Sequence, residues 1–110
     1  MMKMSLDAVA TQLLKAATEA ASGRAADTVF GGHEKHLRQT VIALRAGSGL
    51  GEHESPGEAT LHVLRGRVRL ISGDDTWHGR SGDFLIIPDA RHSLEADEDA
   101  AVLLTVVKRP

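Results

Sequence analysis

The spacing of hydrophobic residues changes once along this chain, near Gly23. Before it, Leu6, Val9, Ala10, Leu13, Leu14, Ala17, Ala20 and Ala21 recur at i, i+3, i+4 and i+7, with Thr11, Gln12, Lys15, Glu19 and Ser22 between them. That spacing gathers the apolar side chains on one face and predicts an amphipathic helix over residues 5–22. Ser5 suits the N-cap, because its hydroxyl can accept from an unpaired N–H of the first turn, and Asp7 places negative charge at the positive end of the helix dipole. Gly23 is the expected stop. The apolar stripe has to be buried, either on the chain's own sheet or on a second subunit, and the pattern leaves both open.

Beyond Arg24 the apolar residues come in short runs separated by glycine, proline and acidic residues. Strands are predicted over residues 28–30, 37–45, 59–64, 67–72, 76–78, 83–88, 91–96 and 100–107. Turns fall at Gly31-Gly32, Ala46-Gly47-Ser48-Gly49, Ser55-Pro56-Gly57, Ser72-Gly73-Asp74-Asp75, Gly79 to Gly82 and Asp97-Glu98-Asp99. Arg65-Gly66 reads as the turn of a hairpin. The near-continuous apolar character of residues 100–107 predicts burial on both faces. Short strands at even spacing predict an all-β sandwich or closed barrel. The expectation is one domain over residues 1–110, with a barrel over about residues 28–107 and one N-terminal α-helix.

Composition narrows the function. A net charge of -2 offers no attraction to nucleic acid or an anionic membrane. The absence of cysteine excludes disulfides, thiolate catalysis and cysteine-based zinc sites. The first residues lack the apolar core of a signal peptide, and no apolar run is long enough to span a bilayer, so a cytoplasmic protein is expected. Phe30, Trp77 and Phe84 are too few for a base-stacking platform. Gly47-Ser48-Gly49 lacks the Lys-Ser/Thr of a phosphate loop. Arg65, Arg67 and Arg69 alternate with Val68 and Leu70, as on a solvent-facing strand.

The candidate chemistry rests on two histidines. His53 stands between two turns just before a strand, and His92 stands just after Pro88 at the end of another, so a closed sheet can bring them together. His33, His36 and His78 lie at turns and read as exposed.

These stretches resemble the two motifs of the cupins, small barrels of jelly-roll (double-stranded β-helix) type. The first motif is glycine, five residues, His-x-His, three or four residues, Glu, six residues and glycine, and Gly47, His53 and Gly66 match it. The second is glycine, five residues, Pro-x-Gly, two residues and His, which Gly82, Pro88 and His92 match with one residue fewer and Ala90 at the second glycine. The resemblance covers about residues 37–107 and implies an all-β jelly roll, a homodimer and a metal held by three histidines and a glutamate. Ser55 and Ala59 stand at two of those ligand positions, leaving His53 and His92. Glu58 and His62 are the candidates to complete a site for Zn, Fe, Mn or Ni. Strand alternation points both away from the interior, unless a bulge near Pro56-Gly57 reverses Glu58. Two principal readings follow. One is a barrel that binds a small molecule in a pocket lined by His53, Ser55, Leu61, Val63 and His92, with Leu85 or Ile86 and Ile87 adding apolar wall. The other is a metal-dependent dioxygenase or isomerase using His53 and His92 with substitute ligands. A metal-free acid/base role for either histidine is a third.

Overall fold

The computed structural model describes residues 2–55 and 57–108, which form one helix and nine antiparallel strands arranged as two facing sheets. Pro56, at the centre of one expected turn, lies outside the described residues. The strands are β1 (Arg24–Phe30), β2 (Leu37–Leu44), β3 (Gly49–His53), β4 (Gly57–Arg65), β5 (Arg67–Ser72), β6 (Asp75–Arg80), β7 (Phe84–Ile86), β8 (His92–Ala96) and β9 (Ala100–Lys108). One sheet runs β1-β2-β9-β4-β7 and the other β3-β8-β5-β6. Together they are a jelly roll, the fold that the resemblance to the cupin motifs implies.

The core lies between the sheets. Ile42, Leu44, Leu61, Val63, Ala100 and Val102 meet Val68, Leu70, Leu94 and Ala96 from the other side. The central strand β9 pairs with β2 from Ala100 to Val107 and with β4 from Gly57 to Val63 without a register shift. Its residues 100–102 are all buried, because the core covers one face and the helix the other.

The helix α1 spans Leu6–Glu19, with Ser5 Oγ accepting from the Ala8 N–H. It ends at Ala20, three residues before the expected stop, and Gly23 takes the left-handed conformation that turns the chain into β1. Ala10 and Ala17 are fully buried over outward-facing Val41, Ala43 and Ala101, so the helix packs on its own barrel. Two arginines hold its ends. Arg65 donates to the Asp7 carboxylate at 2.6 Å and to Thr11 Oγ1, and Arg45 donates to the carbonyls of Thr18 and Ala20. Arg45 thereby supplies positive charge where the helix dipole is negative.

Two local expectations need correction. Arg65-Gly66 is not a hairpin turn, since β4 pairs with β9 and β7 while β5 pairs with β6 and β8. The chain crosses between sheets there, and a Cβ on Gly66 would collide with the Asp99 carbonyl. Residues 49–53, expected as turn and lead-in, form β3. Its glycines hide the strand signal, and Gly49 is needed because a side chain would strike the Leu94 carbonyl of β8. Among the described residues no helix is long and apolar enough to cross a membrane.

Gly66 and Gly73 both have positive φ, but only Gly66 faces a backbone obstacle. Gly73→Ala is expected to lower the unfolding free energy by about 1–2 kcal/mol, the cost of a left-handed non-glycine residue. Gly66→Ala is expected to cost clearly more, measured by urea denaturation. Equal losses would show that the approach to Asp99 constrains nothing.

Candidate functional site

Pairing of β3 with β8 sets His53 directly opposite His92, after an irregularity between Leu50 and His53. The two rings meet edge to face with centroids 4.5 Å apart and planes at 63°. His92 is buried, and His53 is exposed at the rim. Each ring is held by the same device. His53 Nδ1 lies 2.7 Å from the Gly51 carbonyl and His92 Nδ1 lies 2.8 Å from the Ala90 carbonyl. A carbonyl only accepts, so Nδ1 carries the proton in both, and Nε2 is the atom each neutral ring can offer to a ligand.

The histidines border a cavity of about 240 Å³ between the sheets. Ile42, Leu50, Leu61, Leu70, Leu94 and Leu104 form most of its wall, with Ala59, Ile87 and Val106. Its polar points are Arg38, His53, Glu54, Ser55 and His92. Ser55 is buried, and its hydroxyl donates to the Gly57 carbonyl at 2.5 Å, bracing the entry into β4. Beside the mouth, Arg91 donates to Glu52 at 2.9 Å. That hydrogen bond, then the Glu52 charge, then Glu54, hold the Arg91 guanidinium above its ordinary value.

Of the residues nominated from sequence, His53, Ser55, Leu61 and His92 line this cavity. Val63 does not line it and is sealed in the core one step deeper. Ile87 lines it, Leu85 packs on the core, and Ile86 is on the outside. Glu58 pairs with Val107 and His62 with Leu103, on the outer face of the five-stranded sheet, and both are exposed. The unshifted β4–β9 register keeps them there, so no bulge turns Glu58 inward. His33, His36 and His78 are exposed and do not line the cavity.

Arg38 and Glu54 were not anticipated. Arg38 has the inward parity of Ile42 and Leu44, but Val41 and Ala43 between them are equally apolar and equally buried, because the helix covers them. Alternation was therefore unreadable on β2. Glu54 is exposed and stands at the cavity's mouth.

A metal would have to be held by His53 and His92. Among the described residues no group of three or more histidine, aspartate or glutamate side chains is placed to hold an ion. Structural and catalytic sites normally need three or four protein donors, so this donor set does not fit a tightly bound metal.

Residues 40–108 match the profile of the cupin domain. The chain belongs to the cupin family. A comparison with curated proteins finds no significant match. Among solved structures this cupin is similar to a conserved protein of unknown function from Streptococcus pyogenes, with 28% identity, TM-score 0.73 and coverage of 83% of this chain and 79% of that one. A cupin superfamily protein from Desulfitobacterium hafniense aligns with TM-score 0.72 at 14% identity, over 78% of each chain. A salicylate 1,2-dioxygenase from Pseudaminobacter salicylatoxidans aligns with TM-score 0.74 at 18% identity, over 91% of this chain and 33% of the longer one. At such identity these last two likenesses show the shared fold alone.

The Ser55 hydroxyl is buried and satisfies the Gly57 carbonyl. Ser55→Ala is expected to destabilise the protein by about 1–3 kcal/mol, the cost of a buried acceptor left unpaired. Amide exchange should quicken at Gly57 and Glu58. Unchanged thermal stability would mean that this bond braces nothing.

Proposed function

We propose that this cupin is a small-molecule-binding barrel whose family metal site has degenerated. One observation carries the reading: the two surviving histidines border an apolar cavity instead of joining further ligands around an ion. Ala59 lines that cavity where the family pattern has glutamate, turning a ligand position into apolar wall. A mostly apolar concavity with a few fixed polar groups is the usual form of a small-ligand site. About 240 Å³ suits a compound of one ring or a short branched chain, since a cavity of about 150 Å³ accepts benzene.

The metal-dependent reading draws its support from the Nε2 atoms left free on two adjacent rings, the arrangement of metal-ligating histidines. With two donors such an ion would be held weakly.

We also propose a homodimer through the outer face of the five-stranded sheet. The helix covers one end of that face and leaves Phe30, Leu37, Phe84, Ile86 and Val107 exposed at the other. A second copy can cover them, since a two-fold axis sets the same patch against itself.

Three outcomes are expected. Protein purified without a histidine tag carries well under one Zn, Fe, Mn or Ni per chain by mass spectrometry. Near-stoichiometric metal lost in both His53→Ala and His92→Ala would overturn the first proposal in favour of a metal enzyme. A single-ring compound at about 100 times its Kd adds about 2.7 kcal/mol of stability, a rise in Tm on the order of 10 °C, and Leu104→Phe, which fills the cavity, removes that rise. Light scattering gives the mass of a dimer, and Phe84→Glu with Ile86→Glu gives that of a monomer. A wild-type monomer at micromolar concentration would rule the dimer out.

A further inference from the structure

We propose that Arg38 makes the cavity selective for small carboxylates with an apolar body. This rests on the small-molecule reading above and names its ligand class. Arg38 lies on β2 opposite Val106 of β9, and both side chains line the cavity. It is the lysine or arginine of that lining, and its guanidinium makes no hydrogen bond or ion pair with the described residues. Four of the other arginines are engaged: Arg45 and Arg65 hold the helix, Arg69 bonds Glu95 and Asp97, and Arg91 bonds Glu52. A cation with five donors at the mouth of an apolar cavity is a receptor for a planar, two-oxygen anion, which it can bind with two parallel hydrogen bonds.

The other polar points leave that role to Arg38. The Ser55 proton is used on Gly57 and both Nδ1 protons are used on backbone carbonyls. A neutral imidazole held this way has only its Nε2 acceptor to offer, whereas Arg38 carries donors in every case. Glu54, the opposing charge at the mouth, is exposed, so solvent and salt screen its field. The apolar walls take the body of the ligand, and the volume leaves space beside a single ring for one small substituent. A carboxylate meets these demands together: it is planar, anionic and small. A phosphate shares the charge, and the test separates the two.

The test is titration calorimetry of the full chain with benzoate, with its neutral isostere benzamide, and with inorganic phosphate, in wild type, Arg38→Met and Arg38→Lys. Wild type is expected to bind benzoate at least tenfold more tightly than benzamide, which is about 1.4 kcal/mol, and to show no phosphate binding. Arg38→Met is expected to weaken benzoate at least tenfold and leave benzamide unchanged. Arg38→Lys, which keeps the charge and loses the fork, is expected to fall between. Equal wild-type affinities for benzoate and benzamide, or full benzoate affinity in Arg38→Met, would overturn the role of Arg38 and leave the barrel reading intact. Phosphate binding as tight as benzoate would overturn the carboxylate assignment. If wild type binds no ring compound at all, the small-molecule reading fails as well. Should Arg38→Met not fold, the wild-type pair and Arg38→Lys decide the matter.

Discussion

The pairing of β9 with β2 on one side and β4 on the other is the constraint on which the rest depends. Three strands are locked there in one register, and alternate residues must face opposite ways. Arg38, Ala59, Leu61, Leu104 and Val106 consequently turn toward the cavity, while Glu58, His62 and Leu103 turn outward. A slip of one residue would exchange the two sets and expose Leu61 and Val102. The core forbids that, because burying one aliphatic side chain contributes about 1.5–3 kcal/mol and Val63, Val102 and Val106 are fully or almost fully buried.

The helix extends this arrangement. It lets the five-stranded sheet be apolar on both faces at one end, and the alanines at its contact allow close approach. Arg45 and Arg65 act at its two ends, where the backbone has carbonyls and first-turn groups to satisfy. The ion pairs on the four-stranded sheet are of another kind. Arg69 reaches both Glu95 and Asp97 at 2.7 Å, and those contacts raise its affinity for the proton, Asp97 more than Glu95. These groups are solvated, and such surface pairs contribute little to stability.

The site sits on a shared fold, and a fold by itself does not fix chemistry, which depends on the side chains the fold brings together. The strands bring His53 and His92 edge to face, and each ring is fixed through Nδ1. At the neighbouring positions a methyl group and a hydroxyl already committed to the backbone replace two expected ligands. What remains between the sheets is an apolar space with polar atoms at its rim.

Much of this was legible in the residues themselves. The resemblance of the glycine-histidine motifs to those of the cupins implied the jelly roll. The 3.6-residue period and Ser5 predicted the helix, short apolar runs between turn residues predicted the β architecture, and the places of His53 and His92 at strand ends pointed to their meeting. These are local signals, set by backbone preference and side-chain period. Which partner each strand takes is not local. Arg65-Gly66 has hairpin chemistry, yet the chain changes sheets there. The β3 strand is masked by glycines that only the proximity of β8 explains. Arg38 could be recognised as inward-facing only once the helix was seen to account for the burial of Val41 and Ala43. Sequence alone therefore determined the helix, most of the strands and the two histidines. The tertiary structure decided which faces close on one another, because burial depends on what packs against a strand from far along the chain.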